Sequence, residues 1–139
     1  MTTKKRSKLS KRSYEALADF RFALRRFFAF SEQAAAEAGL SPQQYQGLLA
    51  VKGAHGRSEL SIQEIAERLM IRHHTAVELV NRLEANGFVA RVKRPDNHRR
   101  VDVVLTAKAE RMMDSLAAAH LQELAAIRPT LDELLAQFE

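Results

Sequence analysis

Ser61-Ile62-Gln63-Glu64-Ile65-Ala66-Glu67-Arg68-Leu69-Met70-Ile71-Arg72-His73-His74-Thr75-Ala76-Val77-Glu78-Leu79-Val80-Asn81-Arg82-Leu83-Glu84-Ala85-Asn86-Gly87 reads as two helices joined by a tight turn. Ser61 followed three residues later by Glu64 is a capping box, in which each side chain satisfies a backbone N–H that the first helical turn leaves without a partner. It opens a short helix with Ile62, Ile65, Ala66 and Leu69 turned inward. Met70-Ile71-Arg72 makes the turn. A second helix then runs from about His73 to Asn86, with Ala76, Leu79, Val80 and Leu83 as its apolar stripe and Gly87 as its stop. With Ala76 at the centre of the buried stripe, a period of 3.6 puts His74, Glu78, Asn81, Arg82 and Ala85 on the opposite face. Thr75 and Val77 lie on its flanks.

The period then changes. Phe88 to Arg94 and Arg99 to Leu105 alternate approximately, and Pro95-Asp96-Asn97-His98 between them is turn chemistry. The result is a hairpin whose tip and flanks carry Arg94, His98, Arg99 and Arg100. A helix pair followed by a basic hairpin is the winged helix-turn-helix arrangement, so the expected fold class is mainly α with a small β-hairpin wing. Its second helix can lie in the major groove of DNA, where base edges are distinguishable. The wing can reach phosphates or the minor groove, where Arg is favoured. The candidate DNA-binding residues are Arg72, His73, His74, Thr75, Val77, Glu78, Asn81 and Arg82 on the helix side. In the wing they are Arg94, Asn97, His98, Arg99 and Arg100.

Outward from this centre, Ser41-Pro42-Gln43-Gln44 starts another helix, with Ser as cap and Pro at the first position. Arg57 to Leu60 is a short, extended link. A long helix precedes, from about Arg12 to Ala38, with Gly39 as its left-handed stop. Phe20, Phe22, Phe27, Phe28 and Phe30 fall on more than one of its faces, more than one small domain can cover, and a partner subunit is the simple supplier of cover. Thr106 is expected to cap a helix to about Ile127. Pro129 breaks it, and Thr130-Leu131-Asp132-Glu133 reads as the capping box of a last short helix ending at Phe138. The organisation expected is a basic arm over 1–11 and a single domain over 12–139. The winged helix spans about 41–106, between dimerisation helices over about 12–38 and 107–139.

Charge is unevenly divided along the 139 residues, whose net charge is +5. Residues 1–12 carry +6, residues 68–100 carry +5, and the remainder carries −6. A positive block inside an otherwise acidic domain points to a polyanionic partner, nucleic acid first. The alternative these residues leave open is a winged-helix protein–protein adaptor whose basic surface meets an acidic partner. With no Cys, disulfides, thiolate metal sites and thiol catalysis are excluded. His55, His73, His74, His98 and His120 are scattered, with no pair at metal-ligand spacing on one helical face, so no metal is expected. There is no glycine-rich phosphate loop and no paired nucleophile and base, so neither a cofactor nor enzyme activity is expected. No apolar run reaches membrane-spanning length and no secretory signal is evident, so a cytoplasmic protein is expected.

The residues from Leu60 to Thr106 resemble the MarR-type transcriptional regulators, the multiple antibiotic resistance regulators. Ser61 to Leu69 resembles the opening of that family's helix-turn-helix, and Leu79 to Arg91 its recognition-helix exit into the first wing strand. Pro95 to Thr106 matches its wing pattern without a gap. Asn97, His98 and Arg99 take the places of the family's wing acid and two basic residues, so Arg99 alone matches there. Asn81 stands for an acid near the end of the recognition helix, and Ala109 for a Gly. The resemblance covers about residues 12–139. It implies a homodimeric, sequence-specific regulator, a repressor by preference, on double-stranded DNA with a pseudo-palindromic operator. It also implies a small aromatic anion as effector, although no motif specifies one.

Overall fold

Local capping chemistry sets most element boundaries. In the computed structural model, which describes residues 8–138, α1 spans Lys11–Glu37, α2 Pro42–Lys52, β1 Glu59–Ser61, α3 Ile62–Leu69 and α4 His73–Ala85. They are followed by β2 (Val89–Arg94), β3 (Asn97–Leu105), α5 (Ala107–Ala125), α6 (Arg128–Leu135) and a single 3-10 turn, Ala136–Phe138. Residues 1–7, with Lys4, Lys5 and Arg6 of the expected basic arm, lie outside the described residues, as do the side chains of Asn97 and His98. Both anticipated capping boxes form: Ser41 with Gln44 and Ser61 with Glu64 exchange side-chain and backbone hydrogen bonds at the starts of α2 and α3. Thr106 Oγ1 accepts from the Ala109 N–H at 3.3 Å and donates to the Gly87 carbonyl at 2.7 Å, tying the start of α5 to the end of α4.

Three helices end in the same way. The N–H groups of Leu40, Ile71 and Phe88 each reach back to a carbonyl five residues earlier (Ala35, Ala66 and Leu83). The preceding residue sits in the left-handed region in each case. Gly39 (φ 80°) and Gly87 (φ 79°) fill that place as expected, and Met70 (φ 57°) fills it without being glycine.

Two elements depart from the sequence expectation. The last helix starts at Arg128, not at Thr130, so Thr130 is an interior residue and its capping box does not form. Ile127 has helical backbone, its carbonyl accepts from the Leu131 N–H at 2.9 Å, and Pro129 falls in the first turn, where a missing N–H costs nothing. β3 begins at Asn97, leaving only Pro95 and Asp96 for the hairpin turn, with an irregularity between Lys93 and Arg94.

The chain divides into two compact units, residues 32–118 and residues 1–31 with 119–139. In the first, β1-β3-β2 form an antiparallel sheet with β3 in the middle. The registers pair Leu60 with Val103 and Val89 with Leu105. Successive strand residues face opposite ways, so Leu60, Val89 and Val103 enter the core with Leu48, Ile65, Val80, Leu83 and Met113. Gly47 lets α2 approach α4 closely: a Cβ there would stand 3.2 Å from Leu79 Cδ2. In the second unit Arg12 pairs with Glu133 at 2.8 Å. His120, buried, has its Nε2 2.8 Å from Ser31 Oγ and makes T-shaped ring contacts with Phe27 and Phe30.

Candidate nucleic-acid interface

On α4 the stripe Ala76, Leu79, Val80 and Leu83 is buried, and His73, His74, Glu78, Asn81, Arg82 and Ala85 are exposed. Thr75 and Val77 are half-buried. The face assigned from the helical period is therefore the face presented. Arg72 is exposed and caps α4 by its extended backbone, without a side-chain bond. His73 is held: its Nδ1 lies 2.9 Å from Gln63 Oε1, which joins the start of α4 to α3. Asn81 Oδ1 accepts from Arg91 Nη2 at 2.7 Å, and the other terminal nitrogen of Arg91 pairs with Glu84, so β2 braces the far end of α4. Glu78 and Arg82 share a small recess with Thr75 and the start of α2, at Ser41, Gln43 and Gln44.

In the wing, Arg99 is exposed and lines an open cleft of about 440 Å³ with Arg100, Val101, His73 and the start of α3. The fold thus brings the start of the exposed helix and the wing to one depression. The backbone of Asn97 and His98 lies in β3.

Arg94 and Arg100, grouped with Arg99 by the sequence, are each held between two carboxylates. Arg94 Nε donates to Asp102 Oδ2 at 2.6 Å and its Nη2 pairs with Glu59. Arg100 Nε donates to Asp102 Oδ1 at 2.9 Å and its Nη2 pairs with Glu64, which also pairs with Arg57. Asp102 has no exposed side-chain surface. Burial by itself would raise its carboxyl pKa, but hydrogen bonds from Arg94 and Arg100 and their charges outweigh this and hold it below the usual carboxylate range. The Glu64 carboxyl meets the same opposition from burial. The Ser61 backbone and hydroxyl, the Arg57 hydrogen bond and the Arg100 charge bring it down to about 2.

Reading the sequence for exposed polar residues passed over Asp102, Glu59, Arg57 and Arg91. A signal for Asp102 existed: an acid between Val101 and Val103 in a strand, sharing a face with Arg100 by alternation. Among the described residues, no group of three or more His, Asp or Glu could hold a metal ion, and no helix is long and apolar enough to cross a membrane.

Comparison with known proteins follows this geometry. The sequence model of the MarR family matches residues 38–100, which include α2 and the helix pair and run into the wing. No curated protein matches the chain. Among solved structures, the transcriptional regulator PA4135 is 26% identical, with a TM-score of 0.68 over 94% of this chain and 91% of that one. S. aureus MepR, as a mutant bound to an oligodeoxyribonucleotide, is 17% identical, with a TM-score of 0.69 over 95% of this chain and 100% of that one. NadR, in complex with 4-hydroxyphenylacetate, is 22% identical, with a TM-score of 0.67 over 99% of this chain and 97% of that one. The last two are likenesses of fold. Over residues 38–100 the chain is similar to the MarR family, and its fold is that of the transcriptional regulator PA4135 and of MarR-family structures.

Proposed function

We propose that the chain is a homodimeric repressor that binds a pseudo-palindromic operator and is released from it by a small aromatic anion. The observation that carries the DNA reading is the exposed polar face of α4, whose first residue, His73, shares a cleft with Arg99 and Arg100 of the wing. In this reading His74, Thr75, Val77, Glu78, Asn81 and Arg82 enter the major groove. His, Thr, Asn and Arg there read base edges or anchor phosphates, and Glu78 accepts from a cytosine amino group. Arg72 and His73 lie at the helix start, where backbone amides favour phosphate. Arg99, with Asn97 and His98, supplies the wing contact.

The dimer reading rests on the apolar surface of the second unit, where Phe22, Phe28, Leu121 and Phe138 are each at least 60% exposed. A two-fold partner offers the same surface in return and closes the assembly. The effector reading rests on the likeness to NadR and on an aromatic-walled cleft of about 300 Å³ at Phe22, Arg26 and Phe27. Release requires that such a ligand prefer the arrangement that does not bind DNA.

Selection of bound fragments from a random duplex library tests the reading. The expected product is an inverted repeat with half-site centres about 34 Å, one turn, apart. Absence of any enriched sequence would refute operator recognition, and an enriched site without two-fold symmetry would refute the dimer. Titrating the bound complex with 4-hydroxyphenylacetate-like compounds should release DNA. Binding of such compounds with unchanged DNA affinity would remove their regulatory role.

A further inference from the structure

The outer face of α2 carries a stripe that the core does not use. Tyr45, Leu48 and Val51 are buried, which turns Gln43, Gln46 and Ala50, spaced three and four residues apart, toward an outward groove. The last turn of α3 bounds the same groove with Arg68 and Leu69, and His55, from the link after α2, joins the lining. Its volume is about 540 Å³, within the range of small-molecule sites. The whole lining lies in the unit of residues 32–118. Leu49 also lines the groove and is 38% exposed, so this aliphatic side chain gets little cover from the chain itself.

Charge selects the class of occupant. Arg68 and His55 are the titratable residues of the lining, and no carboxylate is among them. Among the described residues, neither makes an ion pair or a side-chain hydrogen bond, and the same holds for Gln43 and Gln46. The acids nearest Arg68 in sequence are engaged elsewhere: Glu64 pairs with Arg57 and Arg100, and Glu67 accepts from Gln63 at 3.4 Å. A planar guanidinium matches a carboxylate with two parallel N–H···O bonds. The amides of Gln43 and Gln46 and the His55 ring add hydrogen-bonding groups to the same lining. We propose that this groove between α2 and α3 binds an aryl or alkyl carboxylate, its head held by Arg68 and its body laid along Leu49, Ala50 and Leu69. It is a second site, separate from the cleft at Phe22 and Arg26, and it does not depend on the DNA reading. Arg68 and Leu69 directly precede the Met70 turn, so an occupied groove borders the turn from which α4 starts.

Titration of the intact chain with 2-naphthoate, followed by the fluorescence of its rings, measures the site. Arg68→Gln should weaken binding about tenfold or more, the worth of a hydrogen bond between charged groups. Arg68→Lys keeps the charge and loses the fork, and should fall between Arg68→Gln and wild type. Uncharged 2-naphthamide should bind the wild-type chain about as weakly as 2-naphthoate binds Arg68→Gln. Leu49→Glu sets a carboxylate in the apolar wall and should abolish binding. Arg68 and Leu49 are both exposed, so thermal midpoints of these variants should stay near wild type and separate lost binding from lost folding.

Amide shifts in an NMR titration locate the ligand. They should move in α2 and the last turn of α3 and stay in place around Phe22 and Arg26. No saturable binding of 2-naphthoate by the wild-type chain at millimolar ligand would overturn the proposal. So would equal affinity in Arg68→Gln, or equal affinity for 2-naphthamide. Binding lost in Arg26→Gln and kept in Arg68→Gln would assign the ligand to the Phe22 cleft, sinking this site while sustaining that one. Shifts in α2 and α3 that grow with protein concentration in the absence of ligand would give the groove to a second copy of the chain, and would also count against it. None of these outcomes involves duplex binding, so the DNA reading stands or falls separately.

Discussion

Met70 occupies the left-handed position that glycine fills at the ends of α1 and α4, with φ 57° and 92% of its surface exposed. Its side chain packs against almost nothing, so little is lost by removing it, while the left-handed backbone of an L-residue costs energy. Met70→Gly should raise stability by about 0.5–1 kcal/mol, partly offset by the more flexible unfolded chain. An unchanged or lower midpoint in thermal unfolding would show that the side chain is used. The carboxyls at the wing base make a second prediction at this scale. Folding lowers the pKa of Glu64 from 4.5 to about 2, and lowers that of Asp102 as well, so the folded chain binds these protons more weakly than the unfolded chain. Their stabilisation is complete above about pH 4.5 and is lost as pH falls toward about 2. Urea midpoints measured across that window should fall with pH, and should fall less steeply in Glu64→Gln.

At the scale of elements, α4 carries both the buried stripe and the exposed polar face, so its packing and its presentation to DNA are coupled. Leu83 is 2% exposed and lies in the same core as Leu48, Leu79 and Phe88. Leu83→Ala should cost about 2–5 kcal/mol through lost transfer free energy and the cavity left behind. A loss below about 1 kcal/mol in denaturant unfolding would mean that α2 and α4 close the gap, which Gly47 would permit. The sheet is the element that local reading resolved least. Hairpin alternation was legible, yet the ion pairs beneath it join Glu59 and Asp102, residues brought together only when β1 pairs with β3.

At the scale of the molecule, α6 has no buried residue, and Leu131 and Leu135 are exposed along it. An apolar surface of that kind on a soluble monomer would invite aggregation. Paired Leu121→Asp and Leu131→Asp changes should therefore shift sedimentation toward monomer at micromolar protein and weaken operator binding in parallel. An intact chain that sediments as a well-behaved monomer would defeat the dimer. With Arg94 and Arg100 held internally, a dimer neutralises on the order of 6 phosphates, and the overall salt slope should be about −5. A slope near −8 or steeper would mean that the clamped arginines contact DNA after all.

The sequence by itself determined what local chemistry controls: the capping boxes at Ser41 and Ser61, the glycine stops at Gly39 and Gly87, and the inward stripe of α4. Each needs only residues within about a turn of one another, so spacing suffices to find it. Where a local motif met a competing backbone path, as at Thr130 beside Pro129, the chain continued its helix and the motif went unused. Tertiary structure alone decided which carboxylates hold Arg94 and Arg100. Arg94 and Arg100 lie six residues apart in sequence, and what joins them is strand pairing together with carboxylates from β1, β3 and α3. An ion pair between distant residues leaves no periodic trace in the chain. It exists because pairing of the strands puts opposite charges on one face, where burial strengthens their attraction and the guanidiniums satisfy both oxygens of Asp102.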